Sequence, residues 1–259
     1  MTENGKRNTV ERRTLILEKL DTDGQVNVND LSRDFGVSEV TIRNDLNKLE
    51  QKSALIRARG GAIKPTRVGA DFEISDKDKI NFQEKQRIGQ RAAQLVEDGD
   101  TIILDSGTTT MELARNLGGV NDLTVITNAL NIAMELAENK NINVIVPGGF
   151  LRKQSLSLVG APAEKGFRGY YCDKVFLGVD GLDIDYGLST PNVEEAHLNQ
   201  VMIEYSAQVV LLSDSSKFLR KSLAFICPLS SVSILVTDDK IKAEDRQHIE
   251  RLGIELLIV

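Results

Sequence analysis

Five short polar segments, each following a run of Ile, Val and Leu, hold most residues of the C-terminal part that could do chemistry. Asp105-Ser106-Gly107-Thr108-Thr109-Thr110 leads directly into a helical pattern. Such a small-residue loop offers an anion or phosphate free backbone N–H groups, the positive end of a helix dipole and several hydroxyls. The same residues would serve equally as a plain Ser/Thr helix cap. Asn128 follows the second run, Gly148, Gly149 and Arg152 the third, Asp180 the fourth and Lys217 the fifth. Glycines admit a ligand to the backbone. Hydroxyls, Asn and Asp suit a polyhydroxylated ligand, and Arg152 and Lys217 suit an anion. A phosphorylated sugar meets both demands. Asp105, Asp180, Glu194 and Glu195 would also permit general acid–base chemistry on such a molecule. The alternative is that the first two are ligand acceptors or loop caps and the last two a helix first turn favoured by the dipole.

A second set lies near the N-terminus. With residues 38–50 wound as a helix, Ile42, Leu46 and Leu49 form one stripe, and Thr41, Arg43, Asn44, Asn47 and Lys48 face away from it. Arg grips guanine through two hydrogen bonds, Asn does the same to adenine, and Thr touches a thymine methyl, so this face suits a DNA major groove. Farther on, Ile56-Arg57-Ala58-Arg59-Gly60-Gly61 reads as a strand entering a turn. Its Arg57 and Arg59 share one face, aimed at a DNA backbone or minor groove. Ser38, Lys48 and Lys52 complete the expected DNA-contacting set. Asp45 and Glu50 are expected to orient Arg43 or lock the helix, because phosphate repels them.

The elements that must position these residues are legible in the spacing. Ile16, Leu17 and Leu20 mark one short helix, and Val28, Leu31 and Phe35 a second with Asn27 as its N-cap. Ser38 caps the third. Val26 with Leu31, and Val37 with Ile42, have the spacing of hydrophobic staples. The connection Phe35-Gly36-Val37-Ser38 is short enough for a helix-turn-helix. Trihelical units with a polar surface helix also occur in proteins that bind no DNA, but the cap, the Gly turn and the basic wing favour DNA. Residues 64–79, polar and holding Pro65 and Gly69, read as a linker. Beyond it, apolar runs at 101–104, 123–126, 142–146, 174–179, 209–212, 234–237 and 255–259 alternate with helical stretches. That pattern predicts a parallel sheet covered on both faces.

Composition excludes other classes. In 259 residues, 41% are hydrophobic and 27% charged, which excludes a wholly disordered chain. No apolar run approaches the ~18 residues of a membrane span, and the polar N-terminus is not a signal peptide. Cys172 and Cys227 are too few for a disulfide framework and read as core residues, with redox sensing a lesser alternative. His197 and His248 lack neighbours at metal spacing. The expectation is a soluble, cytoplasmic protein without metal or cofactor. Net charge is −6, but residues 1–67 carry 13 Lys and Arg against 10 Asp and Glu, leaving 19 against 28 for the remainder. A basic module on an acidic body is a hint of nucleic-acid binding.

Residues Val37, Ser38, Thr41, Ile42, Arg43, Asp45, Leu46, Leu49 and Glu50, with the wing residues Arg57, Gly60 and Gly61, resemble the recognition helix and wing of the DeoR family of bacterial transcriptional regulators. Many members have a second Arg after Arg43, where this chain has Asn44. The segments DGDTIILDSGTTT, TVITNALNIA, PGGFLRKQSLSLVG, DKVFLGVDG and LLSDSSKF resemble the family's effector domain. The resemblance implies a domain related to ribose-phosphate isomerase and sugar-phosphate deaminase folds that senses phosphorylated sugars. By the same resemblance, Asp105, Gly107, Thr108 and Thr109 hold phosphate, while Asn128, Asp180 and Lys217 line the sugar. The wording of GLSTPNVEEAHLNQVMI is most like regulators of amino-sugar catabolism.

The resulting expectation is an α/β protein in two parts. Residues 1–63 form a winged helix-turn-helix, 64–79 a linker and 80–259 a sugar-phosphate-sensing domain. The partners are a double-stranded DNA operator, a phosphorylated sugar, in particular an amino-sugar phosphate, and further copies of the chain in a dimer or tetramer. The alternative is a sugar-phosphate isomerase or deaminase with an accessory DNA-binding domain.

Overall fold

The structure, a computed structural model, describes residues 9–51, 54–58, 60–63 and 71–259. It divides into two compact units with the boundary between Phe72 and Glu73.

In the first unit, helices α1 (Thr9–Asp23), α2 (Val28–Phe35) and α3 (Glu39–Gln51) enclose one core, and strands β1 (Gln25–Asn27), β2 (Ile56–Ala58) and β3 (Gly61–Ile63) form an antiparallel sheet in the order β1-β3-β2. Ile16 and Leu20 of α1, Val28 and Leu31 of α2, and Ile42, Leu46 and Leu49 of α3 are all buried. Each contributes about 1.5–3 kcal/mol on leaving water. Asn27 caps α2 by accepting from the Asn29 N–H, and Gly36 ends that helix at φ 62°, a left-handed conformation that suits glycine. Ser38 accepts from the Thr41 N–H at the start of α3. Strand β1 has no signature of its own in the sequence. It exists because the wing returns to it, and the return is close. A Cβ on Gly61 would stand 2.0 Å from the Val26 carbonyl oxygen, so only glycine fits there.

The second unit opens with α4 (Ile74–Lys77) and α5 (Phe82–Ala93). A seven-stranded, all-parallel sheet follows. Its strands are β4 (Thr101–Leu104), β5 (Leu123–Thr127), β6 (Ile142–Ile145), β9 (Cys172–Gly178), β12 (Ser206–Leu212), β14 (Ile234–Thr237) and β15 (Glu255–Ile258), in the order β15-β14-β12-β9-β4-β5-β6. The intervening strands β7 (Phe150–Arg152) and β8 (Ser157–Val159) make a hairpin. Strands β10 (Gly181–Asp183), β11 (Gly187–Thr190) and β13 (Ala224–Cys227) make a small antiparallel sheet. Helices α6 (Thr108–Ala114), α7 (Leu130–Leu136), α8 (Ala161–Phe167), α9 (Val193–Glu204) and α10 (Ala243–Arg251) complete the unit.

Successive strand residues point to opposite faces, which explains the near-continuous apolar runs. Ile103, Val175, Leu177, Val209 and Leu211 join one buried cluster with Phe167 of α8, Leu198 and Met202 of α9 and Ile249 of α10. Ile102, Leu104, Phe176, Val210 and Leu212 join the other with Ile88 of α5, Leu113 of α6 and Ile132 of α7. Cys172 and Cys227 are buried in the first cluster, and burial pushes both thiols up to about 11.

Two readings of the sequence differ from this arrangement. Residues 73–79, expected as linker, belong to the second unit and carry α4; residues 64–70 of that segment lie outside the described residues. Arg152, expected in a loop, is the last residue of β7. Such a short strand lacks the Ile/Val/Leu run of the main sheet, because it belongs to a small antiparallel pairing of its own.

Candidate functional site

In the first unit, the outward face of α3 carries Glu39, Val40, Arg43, Asn44, Asn47 and Lys48, all exposed. The helix is fixed from behind by Asp45, which is 2% exposed and accepts from Arg12 Nε at 2.6 Å and Arg13 Nε at 2.7 Å, both on α1. Asp45 thus locks the helix and does not orient Arg43. Arg43 instead donates to Glu39 Oε2 at 2.6 Å, one turn earlier on the same exposed face. Glu50 accepts the backbone N–H of Arg57 at 3.1 Å and ties the helix end to the wing. Ser38 and Thr41 share a hydroxyl hydrogen bond of 2.9 Å. Arg57 is half-buried and its guanidinium donates to the Gly61 carbonyl within its own hairpin, so it braces the wing instead of projecting from it. Lys52 and Arg59 lie outside the described residues.

In the second unit, the chain order reverses between β4 and β9. Strands β5 and β6 lie on one side of that pair and β12, β14 and β15 on the other. Crevices at such a reversal, outside the carboxyl ends of the strands, are where parallel sheets bind ligands. The turn Asp105–Gly107 follows β4 and leads into Thr108 and Thr109 of α6, and Gly178–Asp180 ends and follows β9. A Cβ on Gly107 would lie 4.0 Å from the Gly178 Cα, so the two backbones face one another at close range.

Asp105 lies inside this junction. It is 4% exposed and accepts from Asn199 Nδ2 of α9 at 3.3 Å. Burial, reinforced by the nearby Glu195 carboxylate, pushes its carboxyl up to about 7, against backbone N–H bonds from Ser106 and Gly178 that favour the charge. Asp180 is the opposite case. Burial alone would raise it, but Lys77, Lys217 and Arg152 outweigh burial and hold it down to about 2. Lys77 Nζ stands 2.8 Å from both carboxylate oxygens and Lys217 Nζ 3.7 Å from one. Arg152 pairs with Glu195 at 3.1 Å and donates to Ser155 Oγ at 2.7 Å. Glu195 also accepts from Thr190 at 3.3 Å.

The comparisons with known proteins match both units. The family model of the DeoR-like helix-turn-helix domain matches residues 12–68, and that of the DeoR C terminal sensor domain matches residues 80–239. The chain belongs to the DeoR family. Among relatives of this DeoR chain, an Escherichia coli O157:H7 protein provisionally named as the aga operon transcriptional repressor is 39% identical over 97% of this chain and 94% of its own. The transcriptional repressor GlcR of Bacillus subtilis (strain 168) is 35% identical over 96% of this chain and 95% of its own. Of solved structures, ribose 5-phosphate isomerase A from Methanocaldococcus jannaschii aligns with 54% of this chain and 55% of its own at TM-score 0.40 and 19% identity. This DeoR protein is therefore a DNA-binding transcriptional regulator. The sequence resemblance that pointed to the family is borne out across both units.

Of the residues expected in the DeoR sensor site, Asp105, Ser106, Gly107, Asp180, Lys217 and Arg152 converge on the β4/β9 junction. Thr110, next to them, donates its hydroxyl to the Asp105 and Gly107 carbonyls at 2.8 and 2.9 Å; the N-cap of α6 is Gly107, without a side-chain cap, so the Ser/Thr cap weighed from sequence is not formed. Thr108 and Thr109 are buried at the same turn. Asn128 ties the end of β5 to β8: its carbonyl accepts from the Leu158 N–H at 2.8 Å and its amide donates to the Leu158 carbonyl at 3.3 Å. Gly149 does not open the backbone to a ligand, because the place of its Cβ is filled by Ala163 Cβ at 2.9 Å and the Val159 carbonyl at 3.0 Å. Gly148 stands at φ 94° with open space beside it. Sequence reasoning missed Lys77, Asn81, Lys85, Asn199 and Asp214. Asn81 donates to Asp214 at 2.8 Å, and the buried Lys85 donates to the Lys77 carbonyl. Burial, with Lys217 near, pushes Lys85 down to about 8. Nothing in the spacing of Lys77, Asn81, Lys85 or Asn199 announces them, for they meet only through the fold; Asp214 shares with Lys217 the segment after β12.

Proposed function

We propose that this regulator represses a sugar or amino-sugar catabolic operon and leaves its operator when a phosphorylated sugar occupies the β4/β9 crevice of the sensor unit. The observation that carries the reading is a crevice at the chain reversal where Lys77, Lys217 and Arg152 meet Asp180 beside the hydroxyl-rich segment Ser106–Thr109. Cations and loop N–H groups suit a phosphate, and Asp180 suits sugar hydroxyls. The buried Asn128 Oδ1 and Asn199 Oδ1 accept no hydrogen bond among the described residues, and hydroxyl donors of a sugar answer that need. Asp105, enclosed and hydrogen-bonded to Asn199, braces the junction instead of touching the phosphate.

On the DNA side, Thr41, Arg43, Asn44 and Asn47 read bases. Ser38, Lys48, Lys52, Arg57 and Arg59 serve the backbone, Arg57 by shaping the wing. Two copies in a symmetric dimer or tetramer place two α3 helices on operator half-sites in the cytoplasm. The crevice binds without turnover: Asp105 is enclosed, and Asp180 and Glu195 are engaged with cations. A sensor also gains nothing from destroying its signal. A coupling of ~1–3 kcal/mol between the two sites suffices, about 5–150-fold in operator affinity. The test is Lys217→Ala in a calorimetric titration with N-acetylgalactosamine 6-phosphate and N-acetylglucosamine 6-phosphate. Loss of binding relative to the wild type is expected, and undiminished binding would remove Lys217 from the site.

A further inference from the structure

The residues that enter the sensor unit from the DNA-binding side are fastened by polar bonds to several loops. Helix α4 is a single turn with no buried residue. Its attachments run to the loops beyond the sheet's carboxyl edge. The Ile74 N–H donates to the Gln154 carbonyl at 2.7 Å, in the turn between β7 and β8. Lys77 Nζ bridges both Asp180 oxygens at 2.8 Å, after β9. Asn81 Nδ2 donates to Asp214 Oδ1 at 2.8 Å and Ser216 Oγ at 3.1 Å, after β12. The strap 73–81 therefore lies against three of the loops that form the candidate crevice.

We infer that Lys77 is an effector-contacting residue and also the latch through which the sensor reports, because a sugar phosphate in the crevice and the Asp180 carboxylate compete for its ammonium group. The inference rests on the reading of the crevice as a sugar-phosphate site. Lys217, on a turn capped by Asp214, is held in place by the sheet edge. Lys77, on a turn with no buried residue of its own, is the cation that can move. A strap fastened by apolar burial would not answer to a polar ligand; one fastened by an ion pair and backbone hydrogen bonds does. When the phosphate takes Lys77 and sugar hydroxyls take Asp180, the strap loses its central fastening, and the chain leading to the DNA-binding unit loses its fixed origin.

Two experiments on the full chain test this. In the first, without any ligand, Lys77→Met is compared with Lys77→Arg and wild type by amide hydrogen exchange over residues 74–81 and by binding to the DNA upstream of the protein's own gene cluster. Lys77→Met should speed exchange there and weaken DNA binding by about 5–150-fold, while Lys77→Arg keeps both near wild type. A Lys77→Met protein with wild-type exchange and DNA affinity overturns the latch, and a tyrosine-fluorescence melt verifies that it is folded. In the second, the wild type is titrated with N-acetylgalactosamine 6-phosphate, N-acetylglucosamine 6-phosphate and other hexose 6-phosphates by calorimetry, with exchange measured on the same samples. A sugar phosphate that binds while 74–81 exchange is unchanged overturns the latch and leaves the site standing. Absence of binding by every member overturns the site, and the ligand-free comparison still judges the latch.

Discussion

Replacing Asp105 by Asn should erase a pH dependence of stability that the wild type shows between about pH 4 and 7. The carboxyl rises from 3.8 to about 7 on folding, because it is buried and faces Glu195. Across that interval the folded state holds a proton that the unfolded state has released, so stability falls as pH rises. At ~1.4 kcal/mol for each tenfold change in proton affinity, the loss comes to at most about 4 kcal/mol by pH 7. Asn mimics the protonated acid, so the variant should lie close to wild type near pH 4 and exceed it by a margin that widens up to about pH 7 and then holds to pH 8. Other shifted groups fall outside the window. Asp180, held near 2 by its cations against burial, loses its contribution only as pH falls below 3.8. Lys85, lowered to about 8 mainly by burial, changes the balance only above that. The assay is urea unfolding followed by tyrosine fluorescence. The chain has no Trp and all four tyrosines, Tyr170, Tyr171, Tyr186 and Tyr205, are in the sensor unit, so the signal reports that unit. Equal slopes with pH in wild type and Asp105→Asn would refute the argument, as would a variant less stable than wild type at pH 8.

Other perturbations address the DNA-binding unit. Asp45→Ala strands the buried Arg12 and should destabilise that unit by about 3–5 kcal/mol, seen as an early transition in a far-ultraviolet circular dichroism melt with the tyrosine transition unmoved. Gly61→Ala drives a Cβ into the Val26 carbonyl and should cost about 1–3 kcal/mol or more, read in the same melt. Arg43→Ala should cost about 1–3 kcal/mol of operator binding and relax preference at one base pair. Lys48→Ala should weaken all DNA sequences alike and lower the salt slope by about one, in anisotropy titrations at several salt concentrations.

The main sheet was legible because a parallel strand covered on both faces is apolar through its middle, and each strand from Thr101–Leu104 to Glu255–Ile258 carries two or more consecutive or near-consecutive Ile, Val or Leu residues. The first unit was legible through its caps: Asn27, Gly36 and Ser38 do the local tasks their types suggest. What escaped has a common cause. Strand β1, the β7–β8 hairpin and β11 are three or four residues long and exist through their partners, not through a pattern of their own. In the crevice, Asp180 and Lys217 were legible because they follow strands, whereas Lys77 reaches Asp180 across 103 residues of chain. Gly149 misled because a glycine that admits a ligand and one that admits Ala163 look alike in sequence.

The most direct test of the account is a fluorescence-anisotropy titration of the protein against DNA upstream of its own gene cluster, at ~100 mM salt. The titration is repeated in the presence of N-acetylgalactosamine 6-phosphate, N-acetylglucosamine 6-phosphate and other sugar phosphates. The account predicts tight, sequence-specific binding that one sugar phosphate weakens about 5–150-fold. Specific binding that no sugar phosphate shifts would contradict the sensor half of the account, and no specific binding in any condition would contradict the whole.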